Sequence, residues 1–147
     1  MSWETIEIIR SKKRKKTVQA KIVDDTLRIY LPSGLSKKEE SKWIQKMKTQ
    51  IEKKQRKHQL NTTNDLQKRA ERINNQYFDG DLSFSIQFVT NQTTKHGSCT
   101  PSSKRIRIAD EIADYPDYVQ DYLIMHELTH LIYPNHSKAF WEKVNEY

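Results

Sequence analysis

Met125-His126-Glu127-Leu128-Thr129-His130-Leu131-Ile132-Tyr133-Pro134-Asn135-His136 gathers three of the chain's five histidines around one glutamate. From Tyr122 to Ile132 apolar residues occupy nearly every face, as a central buried helix requires, and Tyr133-Pro134-Asn135 ends it. Residues four apart on a helix lie about 40° from each other around the axis, so His126 and His130 project from one face. Two imidazoles one turn apart can hold one Zn²⁺ at about 2.0–2.1 Å each. Glu127 points to the side of the pair, where a carboxylate reaches water at the metal without entering the coordination shell. That is general-base geometry.

A catalytic site needs a third protein ligand and an open fourth position. Pro134 stops the helix soon after His130, so the chain can turn back and bring His136 to the metal. Glu142, on the following helix, and His96, in an upstream loop, are the alternatives; His136 leads on proximity and on the turn signal. From this chain's own His and Glu frequencies, the five-residue HExxH pattern arises by accident roughly once in a hundred such sequences. Two core histidines beside a solvated glutamate would put ionisable groups into the most apolar segment, where unpaired charge is costly. Cys99 is a further sulfur donor, but a fourth protein ligand would close the site, so a buried thiol is expected. Phe140 and Trp141 are expected to pack beneath the site as core, and His58 to be solvent-exposed. Tyr133 and His96 are the candidates for stabilising an oxyanion.

At 147 residues the chain fits one domain, or a small core with an appendage. Hydrophobic residues make up 35% and charged residues 31%, with only 3 Gly and 4 Pro, a globular rather than a disordered composition. No run approaches the roughly 18 apolar residues of a spanning helix, so no membrane partner is expected. The start MSWETIEIIRSKK has no apolar h-region and the single cysteine has no internal partner, so the cytoplasm is the expected compartment. The net charge of +7 is uneven: residues 1–60 hold 17 Lys and Arg against 7 Asp and Glu, and residues 61–147 hold 9 against 12. A basic N-terminal part fits either a solvated face or an approach to nucleic acid, and the run Lys12, Lys13, Arg14, Lys15 and Lys16 is the candidate contact.

Ile6 and Ile8 alternate with polar residues before that run. Val18, Ala20 and Ile22, then Leu27, Ile29 and Leu31, alternate on either side of Asp24-Asp25, the pattern of an antiparallel hairpin with one buried face. Ser36 and Glu39 form a capping box for a long polar helix over about 37–58 with Trp43, Ile44, Met47 and Ile51 at helical spacing. Leu66, Ala70, Ile73 and Tyr77 trace a second helix, ended by Asp79-Gly80-Asp81. LSFSIQF, from Leu82, and Ile106-Arg107-Ile108 alternate as strands, and residues 91–101 between them read as an irregular loop. Pro116 suits the first turn of the metal helix, and Ser137 can cap a last short helix. The order gives an α+β fold: residues 1–60 a basic β-hairpin plus a Lys-rich helix, residues 61–147 the catalytic core, continuous with it.

His126-Glu127-Leu128-Thr129-His130, with Pro134-Asn135-His136-Ser137, Phe140-Trp141 and the upstream Gly97-Ser98-Cys99, resembles the YgjP-like family of metallopeptidases, to which the WLM and SprT-like proteases are similar. The likeness extends to Ile8–Val18 and to Leu31-Pro32. His96 stands where that family usually has Trp. The resemblance implies a zincin-like fold with a small sheet next to the buried HExxH helix. It implies one Zn²⁺ on His126, His130 and His136, Glu127 as catalytic base, and a protein or peptide substrate. The strand Ile106-Arg107-Ile108 is the expected edge for that substrate. WLM and SprT-like relatives are associated with cleaving proteins attached to DNA, which gives the basic arm a DNA reading.

Overall fold

The computed structural model describes residues 3–92 and 94–147; Thr93, inside the expected 91–101 loop, lies outside the described residues. The chain divides into two compact units, Met1–Arg56 and Lys57–Tyr147.

In the first unit, strands β1 (Thr5–Ser11), β2 (Gln19–Val23) and β3 (Thr26–Pro32) form a sheet in the order β1-β3-β2. β2 and β3 are the expected antiparallel hairpin, with Val23 opposite Thr26. Asp24 and Asp25 both have positive φ, 48° and 63°, the backbone a two-residue primed turn demands and one that Asp tolerates. β1 joins β3 in parallel, Thr5 opposite Thr26 through Ser11 opposite Pro32, so the sheet is mixed. Parallel pairing needs a crossover, and the basic run Lys12–Lys16 is part of the connection carrying the chain across to the far edge. Alternation puts Leu27, Ile29 and Leu31 on one face, all fully buried with Met47 of helix α1 (Lys37–Thr62), each such burial contributing about 1.5–3 kcal/mol. The Ser36 hydroxyl starts α1 by accepting from the Glu39 N–H at 3.2 Å. Arg10 of β1 donates two hydrogen bonds to Glu40 of α1, at 2.7 and 2.9 Å.

The helix runs four residues past the expected end, through Thr62, and breaks at Asn64, whose φ is 59°. Its last turns belong to the second unit. There follow α2 (Asp65–Tyr77), β4 (Ser85–Val89), β5 (Gly97–Thr100), β6 (Arg105–Ala109), a 3-10 turn (Asp110–Asp114), α3 (Asp117–Thr129) and α4 (Lys138–Val144). Pro116 caps α3 from just outside it rather than within its first turn. The sheet order is β4-β6-β5, with β4 parallel and β5 antiparallel to β6. Its core joins Ala70 and Ile73 of α2, Ile106 and Ile108 of β6, and Ile124, Met125 and Leu128 of α3.

Two expectations change here. The 91–101 segment is not irregular throughout, since Gly97–Thr100 pairs with β6 from Gly97 opposite Ile108 to Thr100 opposite Arg105. β6 is therefore central, and Ile106-Arg107-Ile108 cannot serve as a free edge. The strand expected from Leu82 begins only at Ser85, because the Asn74 side chain takes both backbone groups of Leu82, at 3.0 and 3.2 Å, and ties it to α2. Asn61 does the same to Phe88, at 3.0 and 2.8 Å, occupying backbone groups on the outer edge of β4. The outer edge of β5 carries no strand partner among the described residues.

Candidate metal centre

α3 buries Ile124, Met125, Leu128 and Thr129, which anchors the helix and turns His126 and His130 toward one side. Beyond Thr129 the coil tightens: Leu131 and Ile132 donate to the carbonyls three residues back, at 3.0 Å each. Pro134 has no N–H to continue it. The chain returns, and Ser137 caps α4 by accepting from the Phe140 N–H at 3.3 Å, which leaves His136 facing the α3 pair.

The His136 Nε2 lies 3.3 Å from the His126 Nε2 and 3.1 Å from the His130 Nε2. Ligand atoms of all three lie within 4.8 Å of one another, and they are the group of this kind found among the described residues. Bonds of about 2.0–2.1 Å in a tetrahedral site place nitrogens about 3.3 Å apart, which the two separations to His136 match. The protonation fits too. The His130 Nδ1 lies 3.2 Å from the Tyr133 carbonyl, which can only accept, so Nδ1 carries the proton and Nε2 presents its lone pair to the centre. Burial, then the neighbouring His130 and His136, push the His126 imidazole down to about 4, and burial lowers His130 as well, so both are neutral near pH 7.

Glu127 is 4% exposed, and burial pushes its carboxyl up to about 7 against a smaller opposing pull from Lys95. Gly97 makes room for that carboxyl: a Cβ on the glycine would sit 3.2 Å from the Glu127 Oε1 and 3.3 Å from the Arg107 carbonyl oxygen. A cavity of about 340 Å³ opens over the three histidines and Glu127, with Lys95, Gly97, Ser98 and Cys99 along its other side.

The remaining candidates fall elsewhere. Glu142 is exposed on α4, beside Lys138 at 4.0 Å, and is not in the histidine group. His96 turns its ring to Glu111, 3.1 Å away, and lines no part of the cavity, so the oxyanion role expected for it has no support here. Tyr133 acts through its carbonyl on His130 and lines a separate cavity with Tyr77, Phe78 and Lys143. Cys99 lines the cavity half-buried, and burial, followed by the charge of Glu127, pushes its thiol up to about 11; it is not in the histidine group. Phe140 is fully buried as expected, but Trp141 is 40% exposed and is not core. Lys12, Lys13, Lys15 and Lys16 are exposed in the first unit, and Arg14 stacks over Tyr30 at 5.4 Å. Sequence reasoning missed Lys95, which no motif marks.

Residues 81–147 match the family model described as YgjP-like, metallopeptidase domain. The matched segment holds β4 to α4 and every residue of the histidine group; Ile8–Val18 and Leu31-Pro32, which the sequence likeness took in, lie outside it. Among curated proteins none matches the chain. Two crystal structures share the fold. One is the metallopeptidase zymogen of Pyrococcus abyssi abylysin, with TM-score 0.50, 16% identity, and coverage of 55% of this chain and 77% of that one. The other is the metallopeptidase zymogen of Methanocaldococcus jannaschii jannalysin, with TM-score 0.50, 21% identity, and coverage of 56% and 81%. The fold is α+β and zincin-like, and family and fold together support a metal-dependent peptidase.

Proposed function

We propose that the chain is a zinc-dependent peptidase holding one Zn²⁺ per chain on His126, His130 and His136, with Glu127 as general base. The observation that carries the reading is the meeting of three imidazole Nε2 atoms, 3.1 and 3.3 Å from the central one, beside a buried glutamate in one open cavity. A zinc ion held there supplies Lewis acidity, lowering the pKa of water toward about 7 and polarising a carbonyl oxygen. Glu127 takes the proton from the attacking water and delivers it to the leaving amine.

The substrate is an extended protein segment lying along the outer edge of β5. Among the described residues that edge has no strand partner, and it flanks the cavity through Gly97, Ser98 and Cys99, whereas β6 is central and Asn61 occupies part of the β4 edge. Ladder alternation decides which groups it offers: the Ala109 N–H donates to the His96 carbonyl at 2.8 Å, so Ser98 and Thr100 face β6, and Gly97 and Cys99 turn their N–H and C=O outward.

Zinc content tests the ligand set. Protein purified without chelator should carry about one Zn²⁺, His136→Ala should lose most of it, and Glu142→Ala should keep it. Zinc retained by His136→Ala and lost by Glu142→Ala would assign the third ligand to α4 instead.

A further inference from the structure

His126 lies in packed α3 and His130 at its C-cap, but His136 is exposed and stands on the segment returning from α3. Among the described residues its ring nitrogens bond only to the other two histidines, so no carbonyl or carboxylate fixes its plane as the Tyr133 carbonyl fixes His130. Aromatic rings of α4 supply the missing constraint. Phe140, fully buried, packs against all three imidazoles at centroid distances of 4.9, 4.6 and 4.9 Å and forms a shared floor. Trp141 stacks on the His136 ring at 5.6 Å with 29° between planes and meets His126 edge-on at 5.7 Å.

We propose that Trp141 is a positioning residue, fixing the plane of His136 so that its Nε2 stays aimed at the metal. The inference rests on the ligand assignment above. Trp141 is 40% exposed, more than a residue kept only for core packing would be, and it stands outside the cavity lining. Outer partners of metal-bound histidines usually act by hydrogen bonds and their loss weakens metal binding about 10–100-fold. Here a stacked indole fills that place for the ligand least held by the fold. Its flat face restricts rotation of the imidazole about its bond to Cβ, an effect that an aliphatic side chain of similar bulk reproduces poorly.

The experiment measures Zn²⁺ affinity by chelator competition for the full chain and for Trp141→Ala, Trp141→Leu, Trp141→Phe, His136→Ala and the double variant Trp141→Ala/His136→Ala, with metal-free melting temperatures alongside. Trp141→Ala and Trp141→Leu should each weaken zinc binding about 10-fold or more, Trp141→Phe should recover most of the loss, and the metal-free melting temperatures should stay close to wild type. In the His136→Ala background, Trp141→Ala should cost little further affinity. Cobalt(II) should quench the fluorescence of Trp141 on binding, a signal that Trp141→Phe removes. Unchanged affinity in Trp141→Ala while His136→Ala loses zinc would overturn the positioning role and leave the ligand set standing. An undiminished effect in the His136→Ala background, or a loss tracked by a fall in metal-free stability, would also overturn it. Wild-type affinity in His136→Ala would instead remove the ligand assignment, and this proposal with it.

Discussion

The carboxyl of Glu127, 4% exposed and pushed up to about 7, is held where its charged form is disfavoured. Below the ordinary carboxylate range both folded and unfolded chains carry the proton. As pH rises from about 4.5 to 7 the unfolded chain ionises first, so the metal-free fold loses stability, and above 7 the full penalty, on the order of 3 kcal/mol, remains. Glu127→Gln cannot ionise. In chelator at pH 8 it should therefore melt several degrees above wild type, with the difference shrinking toward zero at pH 5. The downward-shifted His126 runs the opposite way, destabilising the fold as pH falls from 6.5 toward 4, but it is common to both proteins and cancels. Equal melting temperatures at pH 8 would show that Glu127 is better solvated than its burial indicates. At this scale the meeting of the three histidines was legible: the i, i+4 pair and the proline turn bringing back His136 are local arithmetic. His96 and Tyr133 were not, because a side chain's direction on a loop or helix end is set by partners far away in sequence, such as Glu111 for His96.

Among the elements, β5, the edge proposed for substrate, was hidden, because Gly97-Ser98-Cys99-Thr100 has neither alternation nor β-branched runs and owes its strand state to pairing with β6. The same pairing moved the expected substrate edge from β6 to β5. The two hairpin strands and four helices, by contrast, carry their own periodicity and caps, and their existence could be read directly. The parallel seating of β1 could not, since alternation fixes a strand's buried face and not its neighbour. If substrate pairs with β5, the outward N–H of Cys99 contributes a backbone hydrogen bond. Cys99→Pro removes that donor at an edge position where proline does not break the ladder. It should lower kcat/KM roughly 5- to 10-fold, mainly through KM, relative to Cys99→Ala, with zinc content unchanged in both. Equal kcat/KM in zinc-loaded Cys99→Pro and Cys99→Ala would place the substrate elsewhere.

Across the whole molecule, charge and chemistry are separated along the chain: the basic excess lies in residues 1–60 and the histidine group in residues 126–136. The proposal that the basic connection meets DNA carries its own check. Neutralising Lys12, Lys13, Arg14, Lys15 and Lys16 should weaken DNA association and reduce the slope of log affinity against log salt by up to about 0.9 per lost phosphate contact, without changing zinc content. Tight binding that survives both the substitutions and raised salt would locate the contact elsewhere. Among the described residues no helix is long and apolar enough to cross a membrane. The proposed function is hydrolysis of peptide bonds by zinc and Glu127 together. Its most direct test is hydrolysis of an unfolded protein near neutral pH by zinc-loaded wild type and zinc-loaded Glu127→Gln. The account expects the variant to keep its metal and to lose roughly 10²-fold or more in rate; undiminished hydrolysis by Glu127→Gln would contradict it.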